Sequence, residues 1–172
     1  MSSRTVVLVG PMGSGKSTVG RALAQRLGMV HVDTDDLVTE AADASIEEVF
    51  ARDGESRFRA LETAALTEAL ATPAVVSTGG GIVVAPANRT LLQDSEAFVV
   101  WLDGSIDALT ARVGSGRGRP LLQGDVRAAL REKIVEWAPG YLEVADLRVD
   151  TTAMRQVDCV DAIVAAMEEV SA

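Results

Sequence analysis

Nine consecutive residues, Gly10-Pro11-Met12-Gly13-Ser14-Gly15-Lys16-Ser17-Thr18, have the types and spacing of a loop that cradles nucleotide phosphates. Glycines let successive backbone N–H groups turn toward phosphate oxygens. Lys16 would neutralise the β- and γ-phosphates, and the Ser17 hydroxyl would ligate Mg²⁺. The chain has two lysines, Lys16 and Lys133, and one of them stands where this chemistry requires a lysine.

Four further groups of residues could act beside that loop. Asp33 and Asp35 sit two apart in Asp33-Thr34-Asp35-Asp36. At a strand end both carboxylates can face one cleft, one holding Mg²⁺ through water and the other accepting a hydroxyl's hydrogen bond. The same residues could instead cap a helix, with Thr34 or Asp35 as the cap; the neighbouring phosphate loop favours the site. Arg57 and Arg59 flank Phe58, and a guanidinium near the cleft suits a substrate carboxylate. A helix-surface arginine paired with Glu55 or Glu62 explains them slightly better from sequence alone. Ser77-Thr78-Gly79-Gly80-Gly81 permits close backbone approach to a ligand, with N–H groups as donors; a plain turn needs fewer glycines. Arg117-Gly118-Arg119-Pro120 lies in a glycine-rich stretch that reads as a lid carrying a cation to the transferring phosphoryl group. A surface loop is the plainer explanation. His31 reads as structural and Cys159 as a small packing residue.

These residues need elements to hold them. Thr5–Val9 is a β-branched run that reads as a buried strand, and Ser17–Leu27 as a helix ending at Gly28. Further strands are expected at Val30–Val32, Ala74–Ser77, Ala97–Leu102 and Leu147–Val149. Helices are expected at Leu37–Ala42, Glu55–Leu70, Asn88–Leu92, Ser105–Arg112, Asp125–Val135 and Val157–Val170, with a capping box at Ser45-Ile46-Glu47-Glu48. Strands alternating with helices define an α/β class: a five-stranded parallel sheet with helices on both faces. In such sheets ligands bind beyond the carboxyl ends of the strands, where Gly10, Asp33 and Ser77 fall.

Size and composition narrow the function. A chain of 172 residues suits one domain, and 48% hydrophobic residues with 3% aromatics imply a core of Val, Leu, Ile and Ala. A net charge of −9 argues against nucleic-acid or membrane-surface partners. One cysteine excludes an internal disulfide and suits a reducing cytoplasm. Residues 1–4 do not read as a signal peptide, and no apolar run is long enough to span a membrane.

Taken together, the motifs resemble the shikimate kinase family along nearly the whole chain. The resemblance rests on Gly10–Thr18, Asp33-Thr34-Asp35, Gly54-Glu55 with Phe58-Arg59, the triple glycine, Arg119-Pro120-Leu121, and Ala138-Pro139 with Tyr141 and Ala145-Asp146. It implies a P-loop kinase fold like that of nucleoside monophosphate kinases, with a mobile lid. It implies transfer of the ATP γ-phosphoryl group to the 3-hydroxyl of shikimate in aromatic amino-acid biosynthesis, with Mg²⁺ as cofactor. On this basis Gly13, Ser14, Gly15, Lys16, Ser17 and Thr18 would bind ATP, and Ser17 and Asp33 would serve the metal. Asp35 would bind substrate hydroxyls and act as the base. Arg59, Gly80 and Gly81 would hold the substrate, Arg119 would reach the phosphates, and Arg112 would pack on adenine. The resemblance also implies one domain over residues 1–172, with a substrate-binding insert at about 34–62 and a lid at about 112–124, a monomer in the cytoplasm.

Two positions depart from the family pattern. Trp137 stands where the family usually has an arginine that clamps the shikimate carboxylate, and Met154 stands at a nucleotide-side arginine, with Arg155 following. Losing a charge-assisted hydrogen bond costs about 1.5–3 kcal/mol, roughly tenfold to more than a hundredfold in affinity. A displaced cation such as Arg131 could compensate. The competing functions are a kinase for another polyol or cyclitol, with Trp137 stacked on the sugar, and a nucleotide-binding module without turnover. Arg59 speaks against an uncharged acceptor, and Lys16, Asp35 and Arg119 together speak against a silent module. Asp33 and Asp35 would repel the phosphate of a nucleoside monophosphate acceptor.

Overall fold

The computed structural model describes residues 4–172, so the leader reading for residues 1–4 lies outside the described residues except at Arg4. The strands are β1 (Val6–Val9), β2 (His31–Asp33), β3 (Val75–Ser77), β4 (Phe98–Asp103) and β5 (Leu147–Asp150). The helices are α1 (Lys16–Leu27), α2 (Thr34–Ala42), α3 (Ile46–Ala69), α4 (Pro86–Asp94), α5 (Ile106–Val113), α6 (Val126–Val144) and α7 (Gln156–Ser171). All strand pairs are parallel, in the order β2-β3-β1-β4-β5.

The period of two along each strand builds both faces of this sheet. In β1, Val6 and Leu8 pack with Val19 and Leu23 of α1 and Cys159, Val160 and Ile163 of α7. Val7 and Val9 turn to the opposite face, against Leu66 of α3, Leu109 of α5 and Leu130, Trp137 and Tyr141 of α6. Strand β4 repeats the division, with Phe98, Val100 and Leu102 on the first face and Val99 and Trp101 on the second. Strands buried on both faces explain the unbroken apolar runs. A third cluster joins Val38 of α2 to Val49, Phe58 and Ala65 of α3, so the segment after β2 carries its own small core.

Several element ends differ from the sequence expectation. Helix α2 starts at Thr34, because Asp33 rather than Thr34 or Asp35 is the cap: its side chain accepts from the Asp35 N–H at 3.0 Å. The capping box at Ser45 and Glu48 forms as read, and the helical path of α3 is broken at Gly54, whose φ of 80° and ψ of 172° are not helical, so a second helical stretch starts at the expected Glu55. Helix α6 runs nine residues past the expected Val135 to Val144 and contains Pro139. Pro139 has no N–H to offer the Val135 carbonyl, and Val135 is 71% exposed. Gly140 lets this helix lie close to Val83, where an added Cβ would come within 2.8 Å. Among the described residues no helix is long and apolar enough to cross a membrane.

Candidate active site

The carboxyl ends of β1, β2 and β3 open onto one cavity of about 460 Å³. Its floor is the turn from β1 into α1. Gly13 and Gly15 adopt φ 83° and 92°, and an added Cβ on Gly13 would meet Leu109 backbone oxygen at 2.8 Å. Lys16, 8% exposed, points its Nζ back along the loop and donates to the carbonyls of Gly10 at 2.7 Å and Pro11 at 2.9 Å. Burial lowers its ammonium to about 8, against the attraction of Asp35 and with help from Arg119. The Ser17 hydroxyl donates to Asp33 Oδ2 at 2.7 Å, joining the start of α1 to the end of β2.

Asp35 enters from the first turn of α2, oriented by the Asp33 cap. Burial first, then the Asp33 carboxylate, hold Asp35 above the usual carboxylate range, while Lys16 and Arg119 pull it down. Asp33 therefore caps the helix and Asp35 lines the cavity, so the two sequence explanations divide between the pair.

The triple glycine follows β3 and packs directly against charged side chains. A Cβ on Gly79 would come within 3.0 Å of both Asp35 Oδ1 and Glu62 Oε2, and one on Gly81 within 2.4 Å of Arg59 Nη1. A Cβ on Gly80 would meet Trp137 at 3.2 Å and Met12 at 3.3 Å. Glycine is thus required here by crowding from the protein itself. Two groups fix the loop: the Gly79 N–H donates to Thr34 Oγ1 at 3.3 Å, and the Tyr141 hydroxyl donates to the Gly80 carbonyl at 2.5 Å. Tyr141 is fully buried and stacks obliquely on Trp101, with ring centroids 5.5 Å apart.

Arg59 and Arg57 separate. Arg57 is exposed, whereas Arg59 lines the cavity and is also ion-paired, with Glu62 at 2.9 Å and Glu55 at 3.3 Å. Glu62 is 1% exposed, and burial pushes its carboxyl up to about 7 despite Arg59. Sequence reasoning treated Glu62 only as a surface partner. Its place three residues after Arg59, on the face that carries Phe58 and Leu66, was the available signal. Across the cavity, Gly118, Arg119, Pro120 and Leu121 form the opposite wall, and Leu122 anchors that segment in the core. Arg112 binds the Gly13 carbonyl at 3.3 Å and the Thr151 carbonyl at 2.7 Å, bracing the phosphate loop against the β5–α7 connection.

The remaining sequence candidates fall as follows. Gly13, Gly15, Lys16, Ser17, Thr18, Asp35, Arg59, Gly80, Gly81, Arg112 and Arg119 all line the cavity; Ser14 and Asp33 do not. The Ser14 side chain is buried and its N–H donates to the Pro11 carbonyl at 3.2 Å, inside the loop. Arg131 is exposed on α6, and Arg155 is an exposed partner of Asp158. His31 contacts Ser77 Oγ at 2.8 Å, and that hydroxyl donates to the Lys16 carbonyl, a structural link beneath the loop. Cys159 is buried in the sheet core.

A parallel sheet in this order, a phosphate loop opening α1, and an acidic residue facing it across a cavity walled by an arginine-bearing loop define a P-loop small-molecule kinase. A family model described as shikimate kinase matches residues 12–168. The shikimate kinase of Geobacter sulfurreducens is 44% identical over 168 residues, spanning 96% of this chain and 92% of that protein. A shikimate kinase from Acinetobacter baumannii, solved in complex with shikimate, superposes with a TM-score of 0.92 at 33% identity, covering 96% of this chain and 93% of that one. The enzyme from Aquifex aeolicus superposes at 0.83 with 28% identity, covering 97% and 98%. The chain belongs to the shikimate kinase family.

Proposed function

We propose that this cavity binds ATP on the Gly10–Thr18 loop and shikimate between Asp35, Arg59 and Gly80, and transfers the γ-phosphoryl group to the 3-hydroxyl. The observation that carries this reading is that Lys16, Asp35 and Arg59, from three separate elements, line one cavity. The loop N–H groups and the α1 N-terminus face the phosphates, and Lys16 exchanges its backbone carbonyls for phosphate oxygens. Arg112 braces the nucleotide end and supports adenine. The acceptor carboxylate lies against Arg59, and Gly80 and Gly81 supply close backbone contact.

Asp35 takes the hydroxyl proton as the acceptor oxygen bonds to the γ-phosphorus. The bond from that phosphorus to the β–γ bridging oxygen breaks, and ADP leaves with the electron pair. A carboxylate with a raised affinity for protons suits this role. Arg119 stabilises charge on the transferring group, and the segment at about 112–124 acts as a lid that excludes water. Residues at about 34–62 form the acceptor-binding insert of a single-domain enzyme. Ser17 Oγ and Asp33 Oδ2, joined at 2.7 Å, form a pair of hard oxygen donors that fits Mg²⁺. When bound, the metal would offset phosphate charge, and Ser17 would hold it directly with Asp33 acting through water. A monomer in the cytoplasm completes the proposal.

ADP release from Mg-ATP, compared across shikimate, quinate, gluconate and a nucleoside monophosphate, tests it. Saturable release with shikimate is expected. ATP binding without shikimate-dependent release would overturn the acceptor assignment and point to another cyclitol.

A further inference from the structure

The acceptor end of the cavity is short of positive charge. Arg59 Nη1 already meets Glu62 at 2.9 Å and the Gly81 carbonyl at 3.2 Å, and Nη2 meets Glu55 at 3.3 Å. Asp35 stands beside Glu62, since both carboxylates approach the same point over Gly79. An anionic acceptor entering here meets one arginine, already shared with two glutamates, beside the carboxylates of Asp35 and Glu62. The other cations of the wall belong to the phosphate end. Lys16 is bonded to its own loop, Arg112 to the Gly13 and Thr151 backbone, and Arg119 acts on Lys16 and Asp35.

One further cation stands beside this wall without lining the cavity itself. Lys133 lies one helical turn before Trp137 on α6, and its Nζ is 5.8 Å from the Trp137 ring centroid. The Arg59 guanidinium carbon is 5.9 Å from the same ring, so the two charges are no more than about 12 Å apart. Trp137 is 3% exposed and forms the cavity wall against Gly80. Besides the Trp137 ring, the salt-bridge partner of Lys133 among the described residues is Glu136 at 3.0 Å, and that carboxylate is 51% exposed. A surface pair of this kind is weak, and a lysine stem is flexible enough to leave it.

We propose that Lys133 is the second cation for the acceptor's carboxylate. Its ammonium leaves Glu136 and meets, at the edge of Trp137, the carboxylate held on Arg59. The proposal rests on the reading of this cavity as a shikimate site. It makes Lys133 a specificity residue that selects acidic acceptors, on the helix that also carries the indole.

The test is steady-state kinetics of the full chain with shikimate and with its uncharged methyl ester. Lys133→Met is expected to raise KM for shikimate about fivefold or more, with kcat and the ATP KM within about twofold. Lys133→Arg restores the KM, the ester shows no such change, and Glu136→Gln lowers the shikimate KM by freeing the ammonium. A shikimate KM unchanged in both Lys133→Met and Glu136→Gln would overturn the proposal, as would equal losses for acid and ester. Absence of shikimate turnover in the unaltered protein would remove the underlying reading as well.

Discussion

Arg59 and Glu62 meet one turn apart on α3, with Arg59 Nη1 2.9 Å from a Glu62 carboxylate that is 1% exposed. The pair faces the triple glycine, where an added Cβ on Gly81 would sit 2.4 Å from Arg59. Charge and backbone are therefore fitted to one another at the acceptor end of the cavity, and the glycines make room for the pair.

That burial has a pH signature. Glu62 has an ordinary value of 4.5 and is pushed up to about 7 in the folded chain. Below 4.5 both states carry the proton and Glu62 imposes no penalty. Between 4.5 and about 7 the unfolded chain releases its proton first, so stability falls as pH rises, by at most about 1.4 kcal/mol per unit. Above about 7 the penalty is constant. Glu62→Gln removes this dependence. In chemical denaturation the variant gains stability relative to the parent across that window, and a pH-independent difference would contradict the account.

Asp35→Asn removes the proton acceptor while keeping the side-chain shape. The expected loss in kcat is at least about a hundredfold, with nucleotide affinity changed less than about twofold. Stopped-flow turnover and a fluorescent-nucleotide titration separate the two. Turnover at the parent rate would take Asp35 out of the mechanism.

Lys16 titrates within reach of ordinary buffers. Burial lowers its ammonium to about 8 in the free protein, and bound phosphates favour the charged form. Binding of a non-hydrolysable ATP analogue therefore takes up a proton above about pH 8, and its Kd rises there by at most about tenfold per pH unit. Calorimetry in buffers of different ionisation enthalpy measures that uptake. A flat Kd up to about pH 9 would show that Lys16 stays charged without nucleotide.

Tyr141→Phe tests the tie between α6 and the glycine loop. Removing the hydroxyl leaves the partly buried Gly80 carbonyl without its 2.5 Å donor. The expected loss is about 1–3 kcal/mol of stability. The shikimate KM rises with little change in the ATP KM, because the phosphate loop is held by other contacts. Equal increases in both constants would point to general loosening.

Much of this was legible in the sequence. The β-branched runs fixed the strands, and the loop around Lys16 with Asp33-Thr34-Asp35 marked the cavity, because short motifs at strand ends are local in both sequence and space. The helix through Pro139 was not legible, since a proline within a helical pattern reads locally as the helix's end. The break at Gly54 was legible, because a glycine free to take a left-handed φ interrupts a helical path. The roles of Glu62 and Tyr141, residues the sequence offers only as an arginine's partner and as part of a motif, depend on burial against residues far along the chain. The crowding at Gly79–Gly81 had the same origin: the glycines were read for ligand approach, but Arg59, Asp35, Glu62 and Trp137 fill the space beside them.

The most direct measurement is ³¹P and ¹H NMR of the product formed from shikimate and Mg-ATP. The account predicts stoichiometric ADP and a phosphomonoester coupled to the proton at carbon 3. Phosphate ester at another hydroxyl, or only inorganic phosphate, would contradict it.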